Sequence, residues 1–142
     1  MELIFYLATL AAAPLWLMMI LLPRHRWTRR VMASPLSLAP LAAAYTLVLL
    51  LNLPAALAAL ATLSFDAIGA FLGTPLGVAL NWLHLEASDL VVGRWIYLET
   101  RERPLDPRAL GVILLVCWVF APLGLLLYLA ARRIAAGRQG SA

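Results

Sequence analysis

The sequence predicts an all-α fold: an integral membrane four-helix bundle with kinked helices. Three observations carry that expectation. Hydrophobic residues make up 64% of the 142 residues, mean hydropathy is +0.91, and only 13% of residues are charged; a soluble domain needs more polar surface than this. Several apolar runs approach or exceed the roughly 20 residues that cross a hydrocarbon core as a helix. The breaks between those runs are rich in proline and arginine, residues that mark helix starts and membrane interfaces. A single transmembrane domain over residues 1–142 is expected, with spans at about residues 2–22, 35–63, 75–98 and 109–131.

The first span runs from Glu2 to Leu22 and is closed by Pro23. Pro14 lies inside it and predicts a kink, which membrane helices tolerate. Glu2 stands where a secretory signal would be positive, and the apolar run is long, so this segment is expected to stay as the first helix. Ser34-Pro35 reads as an N-cap followed by proline at the first helical position. A straight helix from Pro35 to Leu63 would be about 43 Å long against a core of ~30 Å. The second span therefore either kinks at Pro54 and projects, or ends near Asn52 with a re-entrant or fifth segment after it. The kinked single helix is the preferred reading. Thr74-Pro75 repeats the cap signal and opens the third span. Gly69, Gly73 and Gly77 form a small-residue series compatible with a homo-oligomer, although the Thr74-Pro75 start breaks it. The fourth span, Ala109 to Ala131, is expected to kink at Pro122.

All eleven basic residues are arginine and the net charge is +4. The arginines flank apolar spans, which fits anchoring at anionic lipid better than nucleic-acid binding. With four spans, the loop holding Arg24, Arg26, Arg29 and Arg30 shares a side with the connector holding Arg101, Arg103 and Arg108. The positive-inside bias then places both termini outside the cytoplasm, against the pull of the tail arginines Arg132, Arg133 and Arg138. The one cysteine, Cys117, excludes an intrachain disulfide and a cysteine zinc site, and reads as a small packing residue. No GxSxG, Gly-rich phosphate loop or CxxC occurs, so acyl chemistry and nucleotide binding lack a basis.

The third span carries the informative residues. Asn81, His84, Glu86, Ser88, Asp89 and Arg94 lie in one apolar stretch, and ionisable groups at membrane depth usually face a bundle interior or watery cavity. On a regular helix Asn81, His84, Ser88, Trp95 and Glu99 share a sector of about 60°. Asp89 lies about 80° from Asn81, Glu86 about 60° further, and Arg94 about 140° from Asp89. Asp89 and Arg94 therefore cannot pair along the helix, and Arg94 needs a partner on another helix, a headgroup, or a backbone loosened at Gly93. His84 is either a general acid or base or a histidine bonded between helices. Glu86 and Asp89, three apart, would share a proton in low dielectric, or Asp89 serves bundle assembly. A solvated Glu99–Arg101 pair is expected at the helix end. The ligand types of His84, Glu86 and Asp89 match no strong metal spacing, so no metal is expected. Trp16, Tyr45, Trp82, Trp95, Tyr97, Trp118, Phe120 and Tyr128 could line an elongated apolar pocket, or serve as core and interface anchors.

The segment His84-x4-Asp89-x3-Gly93-Arg94-Trp95-Ile96-Tyr97, followed by the acidic Glu99, resembles the signature of the neoxanthin-synthase-like family. These are small membrane proteins of the plant abscisic-acid-deficiency type, with bacterial relatives. The resemblance extends through Pro14-x-Trp16, Pro23-x3-Trp27-Thr28, Tyr45 and Pro122-x-Gly124-x3-Tyr128, covering about residues 12 to 133. Glu86, Ser88, Glu99 and Ala121 depart from the pattern. The resemblance implies conversion of violaxanthin to neoxanthin, an epoxide opening that yields an allenic alcohol and needs no redox cofactor. A buried acid, a base and a cation beside developing alkoxide would suit it. His84, Asp89, Arg94 and Glu86 are the candidate catalytic groups. Asn81, Ser88, Trp95, Tyr45, Trp16 and Tyr128 are the candidate substrate-binding groups. A bacterial inner membrane is the expected location.

The first functional reading is thus cofactor-free acid–base isomerisation of a carotenoid or other isoprenoid. A second is a non-catalytic membrane module that binds a pigment or lipid, or assembles other membrane proteins. A third, resting only on the carboxyls, is a small proton or ion pathway.

Overall fold

A computed structural model describes residues 1–62 and 64–139. Among the described residues there is no strand. Eight α-helices form, joined by short breaks and one 3₁₀ turn: α1 (Glu2–Leu21), α2 (Arg26–Ala33), α3 (Ala39–Leu51), α4 (Leu53–Ala61), α5 (Phe65–Leu72), α6 (Pro75–Glu102), α7 (Pro107–Val119) and α8 (Ala121–Gln139). The all-α expectation stands, but the expected four long helices are replaced by eight, because proline and cap residues end helices rather than merely kinking them.

α1 matches the first expected span. It is the one described helix both long and apolar enough by itself to cross a membrane. The number rises to three if α2 with the helical stretch after Ser34, and α5 with α6, each count as one broken span. The buried stripe of α1 is Ala8, Ala12, Trp16 and Met19, at steps of four, four and three, which is one face of a 3.6-residue helix. Leu3, Leu7, Leu10, Leu17 and Leu21 on its other faces stay exposed.

The preferred single helix over 35–63 is corrected. Pro35–Leu38 forms a 3₁₀ turn and α3 ends at Asn52, whose Nδ2 donates to the Val48 carbonyl at 2.9 Å. Pro54 then sits in the first turn of α4, where its missing N–H costs no hydrogen bond. The expected end at Leu63 lies outside the described residues. α5 follows, with Ser64 as its N-cap accepting from the Ala67 N–H at 3.1 Å, and packs against α4. Residues 55–72 are thus two short helices.

α5 and α6 meet at 91° across Gly73-Thr74. Gly77 makes that turn possible, since a Cβ there would come within 2.0 Å of the Phe71 carbonyl oxygen. The expected third span, 75–98, is the front of α6, which runs one further turn to Glu102.

The fourth span is also corrected. Asp106 caps α7, accepting from the Arg108 and Ala109 N–H groups at 2.9 and 3.1 Å. The helix stops at Val119 and Phe120 leaves helical geometry (φ −143°, ψ 76°), because in a continuous helix Pro122 would have no N–H for the Trp118 carbonyl and its ring would clash with it. A Cβ on Gly124 would lie 2.5 Å from the Cys117 Cα, whereas residues seven apart in an unbroken helix are about 10.5 Å apart. The chain therefore folds back at Phe120, and α8 packs on α7 through Gly124 and the buried Cys117.

The helices group into two compact units. One comprises Met1–Ala12 with Leu38–Ala87; the other comprises Ala13–Ser37 with the described chain from Ser88 onward.

Candidate functional site: the polar helix and its neighbours

α6 presents its polar residues on more than one side. Buried on it are Ala79, Leu83, Glu86, Leu90, Gly93, Ile96, Tyr97 and Thr100, a sector centred near Glu86. Asn81, His84 and Trp95 are exposed and Ser88 is half-buried. The sector expected to turn inward is thus the outer one, and the single carboxyl of Glu86, 7% exposed, is the ionisable group that turns inward. Asp89 is half-buried between the two sectors. The helix is apolar on both sides of its polar sector, so the Leu, Val and Ile positions can pack whichever way the bundle demands.

In the unit containing Met1–Ala12, His84 lies against Tyr45 on α3, with ring centroids 5.8 Å apart and planes at 51°. Two residues earlier on α6, Trp82 stacks on Phe5 at 4.6 Å and donates its indole N–H to the Thr9 hydroxyl at 2.8 Å. The same unit holds an apolar groove of about 450 Å³ whose walls include Leu7, Ala11, Leu41, Ala44, Val48 and Leu83. Tyr45 and His84 do not line it; their chain neighbours Ala44 and Leu83 do.

In the other unit, Arg94 has its partner. Its Nε donates to the Met32 carbonyl at 2.9 Å and one Nη to the Ala33 carbonyl at 3.4 Å. These are orphan carbonyls at the C-terminus of α2, where a cation is favoured by both hydrogen bonding and the helix dipole. One turn on, Tyr97 is buried and its hydroxyl donates to the Pro23 carbonyl at 2.8 Å. Arg94 thus holds the C-terminus of α2, and Tyr97 the chain between α1 and α2, onto α6.

The remaining candidates divide. Trp16 is fully buried and stacks on Trp118 at 6.0 Å, with Gly93 against its other edge. Its Nε1 is buried without a hydrogen-bond partner among the described residues. Trp95 meets Tyr128 edge to face at 5.4 Å, and the Tyr128 hydroxyl accepts from Arg132 at 3.1 Å. Tyr45 with His84, and Trp95 with Tyr128, are brought together; Trp16 stands in packing. The expected Glu99–Arg101 pair does not form. Glu99 pairs with Arg132 at 2.9 Å and with Arg103 at 3.6 Å. Sequence spacing missed Arg132, 33 residues away, because nothing local marks such a partner. Among the described residues no three His, Cys, Asp or Glu side chains gather as metal ligands would.

Helices alone, one of them with the length and composition of a span, and an ionisable cluster on a long helix beside an apolar groove define a small helical protein of membrane-like composition. The chain belongs to the ABA DEFICIENT 4-like (ABA4-like) family, which matches it over residues 3–128. No curated protein and no solved structure matches it.

Proposed function

We propose that this protein is an integral membrane protein that binds a carotenoid or other isoprenoid and isomerises it by cofactor-free acid–base chemistry of the neoxanthin-synthase type. The observation that carries this reading is family membership over nearly the whole chain. An apolar groove in the unit that also holds the Tyr45–His84 contact supports it, since about 450 Å³ is enough to seat part of a long hydrocarbon. A bacterial inner membrane with both termini on the non-cytoplasmic side is the matching location.

The chemistry asks little beyond proton transfer. An acid protonates the epoxide oxygen as its C–O bond breaks and the bonding pair leaves with oxygen. A base takes the proton from the neighbouring chain carbon, and that C–H pair becomes the new π bond of the allene. Substrate and product hold the same atoms. His84, Glu86 and Asp89 are the residues on α6 able to give and take these protons. The Arg94 guanidinium is a cation on that helix able to steady a developing alkoxide, and Asn81, Ser88, Trp95, Tyr45, Trp16 and Tyr128 are the proposed substrate-binding residues.

The test is incubation of detergent-purified protein with violaxanthin and no added cofactor. Appearance of an allenic isomer of unchanged mass is expected. Pigment that elutes with the protein but stays unconverted would replace catalysis with the non-catalytic binding module. Proton flux in liposomes without either would favour the pathway.

A further inference from the structure

We propose that Arg24, Arg29 and Arg101 form a binding pocket for a phosphate group, of the kind carried by an anionic phospholipid. All three line one cavity of about 420 Å³ in the unit containing Ala13–Ser37. Arg24 follows the end of α1, Arg29 lies on α2, and Arg101 sits one turn beyond Tyr97 on α6. Cations from two stretches of chain more than 70 residues apart therefore converge on one space.

Two features make this more than a charged surface. The first is that the pocket is held. The Tyr97 hydroxyl is fixed to the Pro23 carbonyl at 2.8 Å, and the buried Thr100 hydroxyl to the Tyr97 carbonyl at 2.8 Å. Pro104 and Pro107 stiffen the opposite rim. The second is that its charge is not neutralised. No carboxylate lines it, and among the described residues none of its three arginines is in an ion pair. Of the nearby acids, the Asp106 carboxylate caps α7, Glu99 is taken by Arg132 and Arg103, and Glu102 lines a different cavity with Arg103 and Arg132.

Three guanidinium groups around one space match the oxygens of a phosphate, which arginine binds in fork geometry. The rest of the lining is mixed: Leu105, Leu110 and the prolines are apolar, beside the polar Tyr97 and Thr100, whose hydroxyls already donate to backbone carbonyls. It suits a phosphate that enters on a hydrocarbon stem better than a free, fully hydrated ion. Folding thus places beside the end of the membrane-span-like α1 a site for a headgroup.

The experiment measures saturable binding to the detergent-solubilised full chain, with dihexanoyl phosphatidylglycerol in one arm and inorganic phosphate in the other. One lipid per chain is expected, tighter than inorganic phosphate. Equal or tighter binding of inorganic phosphate keeps the phosphate site but assigns it to a free ion. The double variant Arg29→Gln with Arg101→Gln should weaken the lipid roughly tenfold or more. A charge-matched control, Arg30→Gln with Arg108→Gln, changes the same loops outside the pocket and should leave binding near the wild-type value. Arg101→Lys keeps the charge and fold and should weaken binding partially. Absence of saturable binding of both probes overturns the proposal. So does equal weakening by the pocket and control pairs, which would reduce the effect to a general juxtamembrane field.

Discussion

Gly93 lies edge-on to the indole of Trp16, so close that a Cβ on the glycine would sit 2.3 Å from Cη2 of the ring. Trp16 cannot yield, because it is fully buried and stacked against Trp118. The glycine in the Gly93-Arg94-Trp95 motif is thus demanded by packing on α1. Gly93→Ala should cost roughly 1–3 kcal/mol, the usual range for overpacking. Thermal unfolding in detergent checks it, and an unchanged melting temperature would show that α1 can shift away.

Arg94 anchors the C-terminus of α2, and its variants separate that structural role from the proposed one on the substrate. Arg94→Ala leaves the Met32 and Ala33 carbonyls without their donors, at a cost of about 1–3 kcal/mol. Arg94→Lys supplies one point donor instead of a fork and should recover only part of this. Comparing melting temperature with pigment conversion separates the roles. If Arg94→Lys melts like wild type but no longer converts, the residue acts on the substrate.

Much of the fold was legible in the residues, and the exceptions have physical causes. Prolines mark helix starts: the Ser34-Pro35 and Thr74-Pro75 signals stand at first turns as expected, while Pro54, expected only to kink a span, and Pro107, two residues before the expected start at Ala109, stand in first turns as well. What they do not specify is whether the preceding helix bends or ends. That depends on close approaches such as Gly124 on Cys117 and Gly77 on Phe71, which are tertiary. The periodicity of α6 correctly grouped Asn81, His84, Ser88 and Trp95 on one side. It assigned that side to the interior, because an ionisable cluster was expected to avoid lipid. With apolar residues on every side of α6, hydropathy carries no signal about which one is buried, and Glu86 took the inner place. The partner of Arg94 was unreadable because backbone carbonyls have no residue signature.

The Glu99–Arg132 pair ties α6 to α8 while both side chains are about three-quarters covered, at 26% and 21% exposure. A double-mutant cycle with Glu99→Gln and Arg132→Gln should give a favourable coupling that shrinks with added salt. A coupling near zero would place the stabilisation in the Trp95–Tyr128 ring contact instead.

His84→Ala and Asp89→Asn should reduce carotenoid conversion by a factor of ~10²–10⁴, the typical contribution of acid–base groups. His84 is exposed, so its loss should leave the melting temperature within about a degree or two, as for surface substitutions. Activity lost in proportion to stability would make the cluster structural.

The convergence of Arg24, Arg29 and Arg101 on one cavity requires the α1–α2 connection and the α6–α7 connector to meet the same aqueous phase. Arginine-rich loops favour the cytoplasmic side. Arg30→Cys and Arg108→Cys should therefore resist an impermeant maleimide in intact cells and react once the membrane is opened. The native Cys117 is fully buried, so the parent chain serves as its own blank. Both residues are exposed in the folded chain, which leaves the membrane as the barrier to labelling. Labelling of both from outside would invert the orientation while keeping the shared side. Labelling of one alone would break the shared side itself and, with it, the reading of α1 and α6 as spans of one bundle.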